Sequence, residues 1–132
     1  MAVLQVRVVT PEREVVETEA DEVELPGSEG YLGVLPGHAP LMTLLKTGVL
    51  SYRRAGAQQA LAVSTGFAEI ANDRVSVLAD SAEGPSQIDA AAAERERAKS
   101  EKEMGEASAE TLPEIRARFE LAQARLSVVR KG

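Results

Sequence analysis

Pro26-Gly27-Ser28-Glu29-Gly30-Tyr31-Leu32-Gly33-Val34-Leu35-Pro36-Gly37-His38-Ala39-Pro40-Leu41 holds three of the chain's six prolines and four of its ten glycines. Glycine serves where φ is positive or backbones come close; proline fixes φ and removes a backbone donor. A segment this dense in both excludes a helix and a central strand. It reads as ordered loop and tight turns, with one short extended piece from Tyr31 to Leu35. The interspersed Tyr31, Leu32, Val34, Leu35 and Leu41 predict that it is packed. A long structured surface loop in a small domain is where binding surfaces gather.

Around this loop, from Val3 to Leu78, apolar residues recur with a period of two. Leu4, Val6 and Val8 alternate with Gln5 and Arg7; Val16, Thr18 and Ala20 alternate with Glu17, Glu19 and Asp21; Val23 and Leu25 follow. Beyond the loop come Leu41-Thr43-Leu45, Leu50-Tyr52, Leu61-Val63, Ala68-Ile70 and Val75-Val77. Breaks fall at Pro11, Thr47-Gly48, Ala55-Gly56, Thr65-Gly66 and Asn72-Asp73. Short strands with turn signals between them predict an antiparallel all-β sandwich or barrel, one period-two set facing inward and the other facing water.

The composition changes at Glu83-Gly84-Pro85-Ser86, so two units are expected: a β-sandwich over 1–84 and a helical hairpin over 85–132. A first helix is predicted over about 88–104, rich in Ala and charge, capped by Asp89 or by Ser86 with Asp89 as a capping box, and ended by Gly105. Arg97–Glu101 and Lys99–Glu103 are spaced to pair along it. A second helix over about 112–130 is predicted to start at a Thr111 cap, with Pro113 in its first turn and Glu114 closing a capping box. Leu112, Ile115, Phe119, Ala122, Leu126 and Val129 form a heptad-like stripe. The first helix answers with Ile88, Ala91, Ala92 and Ala98, which bury little area. Either the hairpin packs on the sandwich, or the second helix can leave and bind elsewhere.

Several functions are disfavoured. The 132 residues carry a net charge of −6, which argues against nucleic acid. The acidic groups sit mainly in the body, whereas residues 111–132 are cationic. Such a tail suits an acidic protein surface, or complements a helix dipole. Cys is absent, removing disulfides, thiolate metal sites and thiol nucleophiles; this is compatible with a reducing cytosol. No signal peptide or bilayer-spanning stretch is expected, so membrane association would go through a protein partner. His38 is the only histidine and is read as structural or interfacial. Neither phosphate-loop nor dinucleotide glycine spacing occurs, and the acidic run Glu12–Glu24 lacks the ligand spacing of a Ca²⁺ loop. On the last helix, Glu114–Arg118 and Arg116–Glu120 can pair locally; Arg125, Arg130 and Lys131 have no such partner.

Gly27 to Leu41, then Gly66-Phe67-Ala68-Glu69-Ile70, then Asn72-Asp73-Arg74-Val75-Ser76-Val77-Leu78-Ala79-Asp80 resemble the bacterial epsilon subunit of the rotary proton-translocating ATP synthase. The resemblance covers nearly the whole chain. It implies a ten-stranded sandwich followed by a two-helix hairpin, and a non-catalytic central-stalk rotor part without a cofactor. The implied partners are the gamma subunit, the c-subunit ring, and the alpha and beta subunits. The implied address is the cytoplasmic face of the bacterial plasma membrane. By this resemblance Ser28, Glu29, Gly30 and Tyr31 face the c-ring, and His38, Ala39, Pro40 and Leu41 face gamma. Tyr31 stands where some relatives carry an acid, leaving Glu29 as the charge.

The resemblance also implies that the hairpin is a brake on ATP hydrolysis, with Arg116, Arg118 and Arg125 meeting an acidic segment of beta. Some relatives bind ATP through an Ile/Leu-Asp-x-x-Arg-Ala motif; here Ile88, Asp89 and Ala93 match, but Ala92 replaces the arginine. Loss of that guanidinium predicts weak or no ATP binding. An ATP-sensing switch is therefore the alternative reading, and a free-standing enzyme a third.

Overall fold

A computed structural model describes residues 2–131, the Lys131 side chain excepted. Ten strands come first: β1 (Leu4–Val9), β2 (Glu14–Ala20), β3 (Glu22–Gly27), β4 (Gly30–Val34), β5 (Leu41–Leu45), β6 (Gly48–Arg54), β7 (Ala57–Val63), β8 (Gly66–Ala71), β9 (Arg74–Ala79) and β10 (Ala82–Glu83). A 3₁₀ turn at Pro85–Gln87 leads to α1 (Ala90–Glu106) and α2 (Leu112–Lys131).

The strands hydrogen-bond in the order β10-β7-β6-β3-β5-β8-β9-β1-β2, with β4 paired to β3. The β3–β5 link is a single pair, Gly27 with Leu45, and there the sheet turns from one layer of the sandwich to the other. The period-two residues fill the space between the layers: Leu4, Val6 and Val8 meet Val23, Leu25, Leu50, Leu61, Val63, Ile70, Val75 and Val77 in one core. Each such Val or Leu contributes about 1.5–3 kcal/mol when fully buried. One pairing departs from the antiparallel expectation. β1 runs parallel to β9, from Gln5 beside Arg74 to Val9 beside Leu78.

The Gly/Pro stretch holds more strand than expected. β3 and β4 form a hairpin in which Gly27 pairs with Gly30 across Ser28-Glu29, and Gly30 takes φ +127°. Pro26 lies within β3, where a missing donor should break a ladder. It is tolerated because β3 pairs with β6 only at Glu22–Glu24 and with β5 only at Gly27, so Pro26 falls between the two ladders. Its carbonyl still accepts from Lys46 N at 2.9 Å.

The helices also shift from their expected ends. Asp89 caps α1, accepting from Ala92 N at 3.0 Å. Gly105 does not stop α1, which runs to Glu106 with Ala107 as its C-terminal cap. Thr111 does not cap α2 with its hydroxyl. Ser108 takes that place: Thr111 N donates to Ser108 Oγ at 3.3 Å, while Ser108 N donates to Thr111 Oγ1 at 3.1 Å. This reciprocal pair is a capping box one turn earlier in the chain.

Candidate functional site

The two loops singled out for partners lie at opposite ends of the sandwich. Ser28-Glu29 joins β3 to β4, and the His38 loop joins β4 to β5. Five residues of β4 separate them, about 17 Å at 3.3–3.4 Å per residue. At the first end Ser28 and Glu29 are exposed, and Ser28 N donates to Leu44 O at 2.8 Å. Tyr31 is half exposed, but its hydroxyl accepts from Val49 N at 2.9 Å. The side chain is thereby anchored to β6.

At the second end Gly37, at φ +88°, donates from its backbone N to Asp73 Oδ1 at 2.7 Å, tying this loop to the β8–β9 turn. His38 is half-buried with its Nδ1 2.6 Å from Ala39 O, a local bond that fixes the ring. Ala39, Pro40 and Leu41 are exposed.

The outward faces of the two layers differ. On β6 and β7, Val49, Ala60 and Ala62 point outward and are covered by Ala124 and Val128 of α2, with Ile88 beside them. Among the described residues, nothing covers the other layer in this way. Leu44 pairs with Phe67, Phe67 with Leu78, and Leu78 with Val9, so four strands place apolar side chains in one outward row. Leu44 is 67%, Leu78 47% and Phe67 40% exposed, and Met42 on the same face of β5 is 66% exposed. Contiguous exposed apolar side chains of this kind mark interaction surfaces. Sequence reading by a single inward set missed this row. Its signal was the run Leu41-Met42-Thr43-Leu44-Leu45, apolar on both faces of a strand.

Two of the four described cations of α2 are engaged in ion pairs. Arg118 reaches across to α1, with Nη1 3.3 Å from Glu96 and Nη2 3.1 Å from Glu103. The hydrogen bond to Glu103 is the main reason its pKa lies above the ordinary guanidinium value. Arg125 Nε lies 2.7 Å from Glu83 on β10. The local partner expected for Arg118, Glu114, is thus replaced by tertiary ones. On α1, Arg97 pairs with Glu101 at 3.0 Å as expected, and also with Glu94 at 2.6 Å. Glu103 goes to Arg118, the partner that the spacing assigned to Lys99. Arg116 and Arg130 are exposed; the Lys131 side chain lies outside the described residues.

The residues of the partial nucleotide motif are in structural use. The Asp89 carboxylate caps α1, Ile88 packs under α2, and Ala92 offers only a methyl group. Among the described residues, no three His, Cys, Asp or Glu side chains converge to hold a metal, and no helix is long and apolar enough to cross a membrane.

Residues 3–85 match the family described as ATP synthase, Delta/Epsilon chain, beta-sandwich domain. The chain belongs to this ATP synthase epsilon family. Among epsilon-family relatives, the ATP synthase epsilon chain of Myxococcus xanthus is 42% identical over 124 residues, covering 94% of this chain and 88% of that one. The ATP synthase epsilon chain 2 of Syntrophotalea carbinolica is 38% identical over 131 residues, 98% of this chain and 95% of its own. These matches take in the hairpin as well as the strands. The epsilon-family fold also recurs in a chain of the Euglena gracilis mitochondrial ATP synthase, from a structure of its OSCP, F1 and c-ring. That chain superposes with a TM-score of 0.83 at 17% identity, covering 96% of this chain and 81% of that one.

Proposed function

We propose that this epsilon-family chain is a non-catalytic rotor part of the ATP synthase central stalk, coupling c-ring rotation to ATP synthesis. The observation that carries the reading is the asymmetry of the sandwich: one outer face is covered by the chain's own α2, and the other presents Met42, Leu44, Phe67 and Leu78 bare. The bare face is the seat for the gamma subunit, entered from the His38–Leu41 loop that runs directly into β5. The Ser28–Tyr31 turn, with Glu29 exposed at the other end, meets the polar loops of the c-ring. The protein is held at the cytoplasmic face of the bacterial plasma membrane by these partners.

The hairpin is the brake on ATP hydrolysis. Seated, it has Arg118 and Arg125 neutralised by Glu96, Glu103 and Glu83, leaving Arg116 in water. Released from the sandwich, Arg125 joins Arg116 in facing an acidic surface of the beta subunit, and Arg118 joins them when it exchanges Glu96 and Glu103 for that surface. Among the described residues no helix side chain enters the sandwich core, so the core does not need the hairpin to stay filled. Deleting residues 87–132 should therefore leave the enzyme assembled and raise its ATPase activity by about two-fold or more, at least about 0.4 kcal/mol of barrier. Unchanged activity in an assembled enzyme would remove the brake.

A further inference from the structure

We propose that the Glu83–Arg125 ion pair is the latch that keeps the hairpin on the sandwich, and that the hairpin leaves its seat as a closed pair of helices. The proposal rests on the reading of the hairpin as a movable element and names what holds it.

The seam between α2 and the sandwich is built from small side chains. Ala124 and Val128 meet Val49, Ala60 and Ala62, with Ile88 at the edge. Alanine buries little apolar area, so this seam is weakly held by the hydrophobic effect alone. Among the described residues, Arg125–Glu83 is the one ion pair, and its bond the one side-chain hydrogen bond, that joins the strands to either helix. It flanks the seam directly: Glu83, on the edge strand β10, pairs in register with Ala62, a residue of the seam itself. Its side chains are only 31% and 25% exposed, so the pair is less screened than a surface bridge.

The hairpin is held differently. α1 packs chiefly on α2. Its Ala93 and Ser100, 3% and 0% exposed, are covered there, and Arg118 ties Glu96 and Glu103 to α2. Breaking the latch cuts the seam and leaves these ties whole. The strands end at Glu83 itself, so the segment able to pivot, Gly84–Asp89, begins at the latch.

The test is the rate at which a thiol reagent reaches single cysteines placed in this otherwise cysteine-free chain. Ala124→Cys reports opening of the seam, and Ala93→Cys reports separation of the helices. Glu83→Gln, which keeps side-chain shape and leaves the cationic helix untouched, should speed labelling at position 124 roughly five-fold. Labelling at position 93 should be unchanged. Arg125→Met should act alike, and the double variant should label no faster than either single one, as expected for partners in one interaction. Unchanged labelling at 124, equal acceleration at 93, or multiplicative effects of the two substitutions would overturn the proposal. These rates are read on the isolated chain, so failure of the latch is distinct from failure of the brake, which is read as ATPase activity of the enzyme lacking 87–132.

Discussion

Gly66 begins β8, and a Cβ there would overlap the Leu78 carbonyl oxygen and sit 2.8 Å from Ala79 Cα. Both obstacles are backbone, so neither can swing aside. Gly66→Ala should lower stability by about 2–3 kcal/mol, read as the shift in a denaturant midpoint at unchanged slope. A midpoint within experimental error of the parent would contradict the packing described for β8 and β9. Gly48 is crowded differently, since an added Cβ would lie 2.6 Å from the Tyr31 hydroxyl and 2.9 Å from Pro26 Cβ. The sequence marks both glycines as breaks between strands. It does not reveal that they are close approaches, because the groups they meet come from elsewhere in the chain. The same limit governs the arginines. Local spacing offers Arg118 a partner in Glu114, but Glu96 and Glu103 win because the helices fold back on one another. Arg125 looks unpartnered in sequence for the same reason.

At the scale of elements, the strands were legible because alternation survives wherever one face is buried and the other wet. β1 and β9 show it up to their last outward residues, Val9 and Leu78. It fails for β5, β6 and β7, whose outward faces are also apolar; there the second face belongs to α2 or to the bare row. In α2 the heptad-like stripe accounts for Ala122 and Leu126, but Ala124 and Val128 make a second stripe that docks on β6 and β7. One helix with two buried faces cannot be read from a single period. Gly105 was misread as a stop because a glycine near a helix end resembles a C-terminal cap; α1 has one further residue before its cap. Ser100 shows what the helix pair requires. It is fully buried, with its hydroxyl donating to Glu96 O at 2.6 Å, so the helices can approach closely there. Ser100→Leu should force them apart at a cost of about 1–3 kcal/mol. Faster amide exchange confined to α1 and α2, with β1 and β9 protected as before, is the expected pattern; uniform protection in both helices would contradict it.

At the scale of the molecule, the chain combines a β body with its own core and an attached pair of helices, joined through a second, smaller cluster to which both contribute. The motif residues Gly27–Leu41 carry the family resemblance in the sequence itself. The surface with which the body would meet a partner was not legible, because it is assembled from β1, β5, β8 and β9, strands far apart in sequence. The bare row is proposed to be a seat and not an accident of composition. Leu44 and Phe67 are directly paired at its centre and point away from the core. Leu44→Thr with Phe67→Thr, which keeps strand-forming side chains and sets no like charges opposite one another, should thus leave thermal unfolding of the isolated chain nearly unchanged. The decisive measurement is the affinity of that double variant for ATP synthase depleted of this subunit. A drop of roughly ten-fold or more is predicted, the size expected for a central hot spot; a folded variant that rejoins the enzyme as tightly as the parent would mean that the row is no seat.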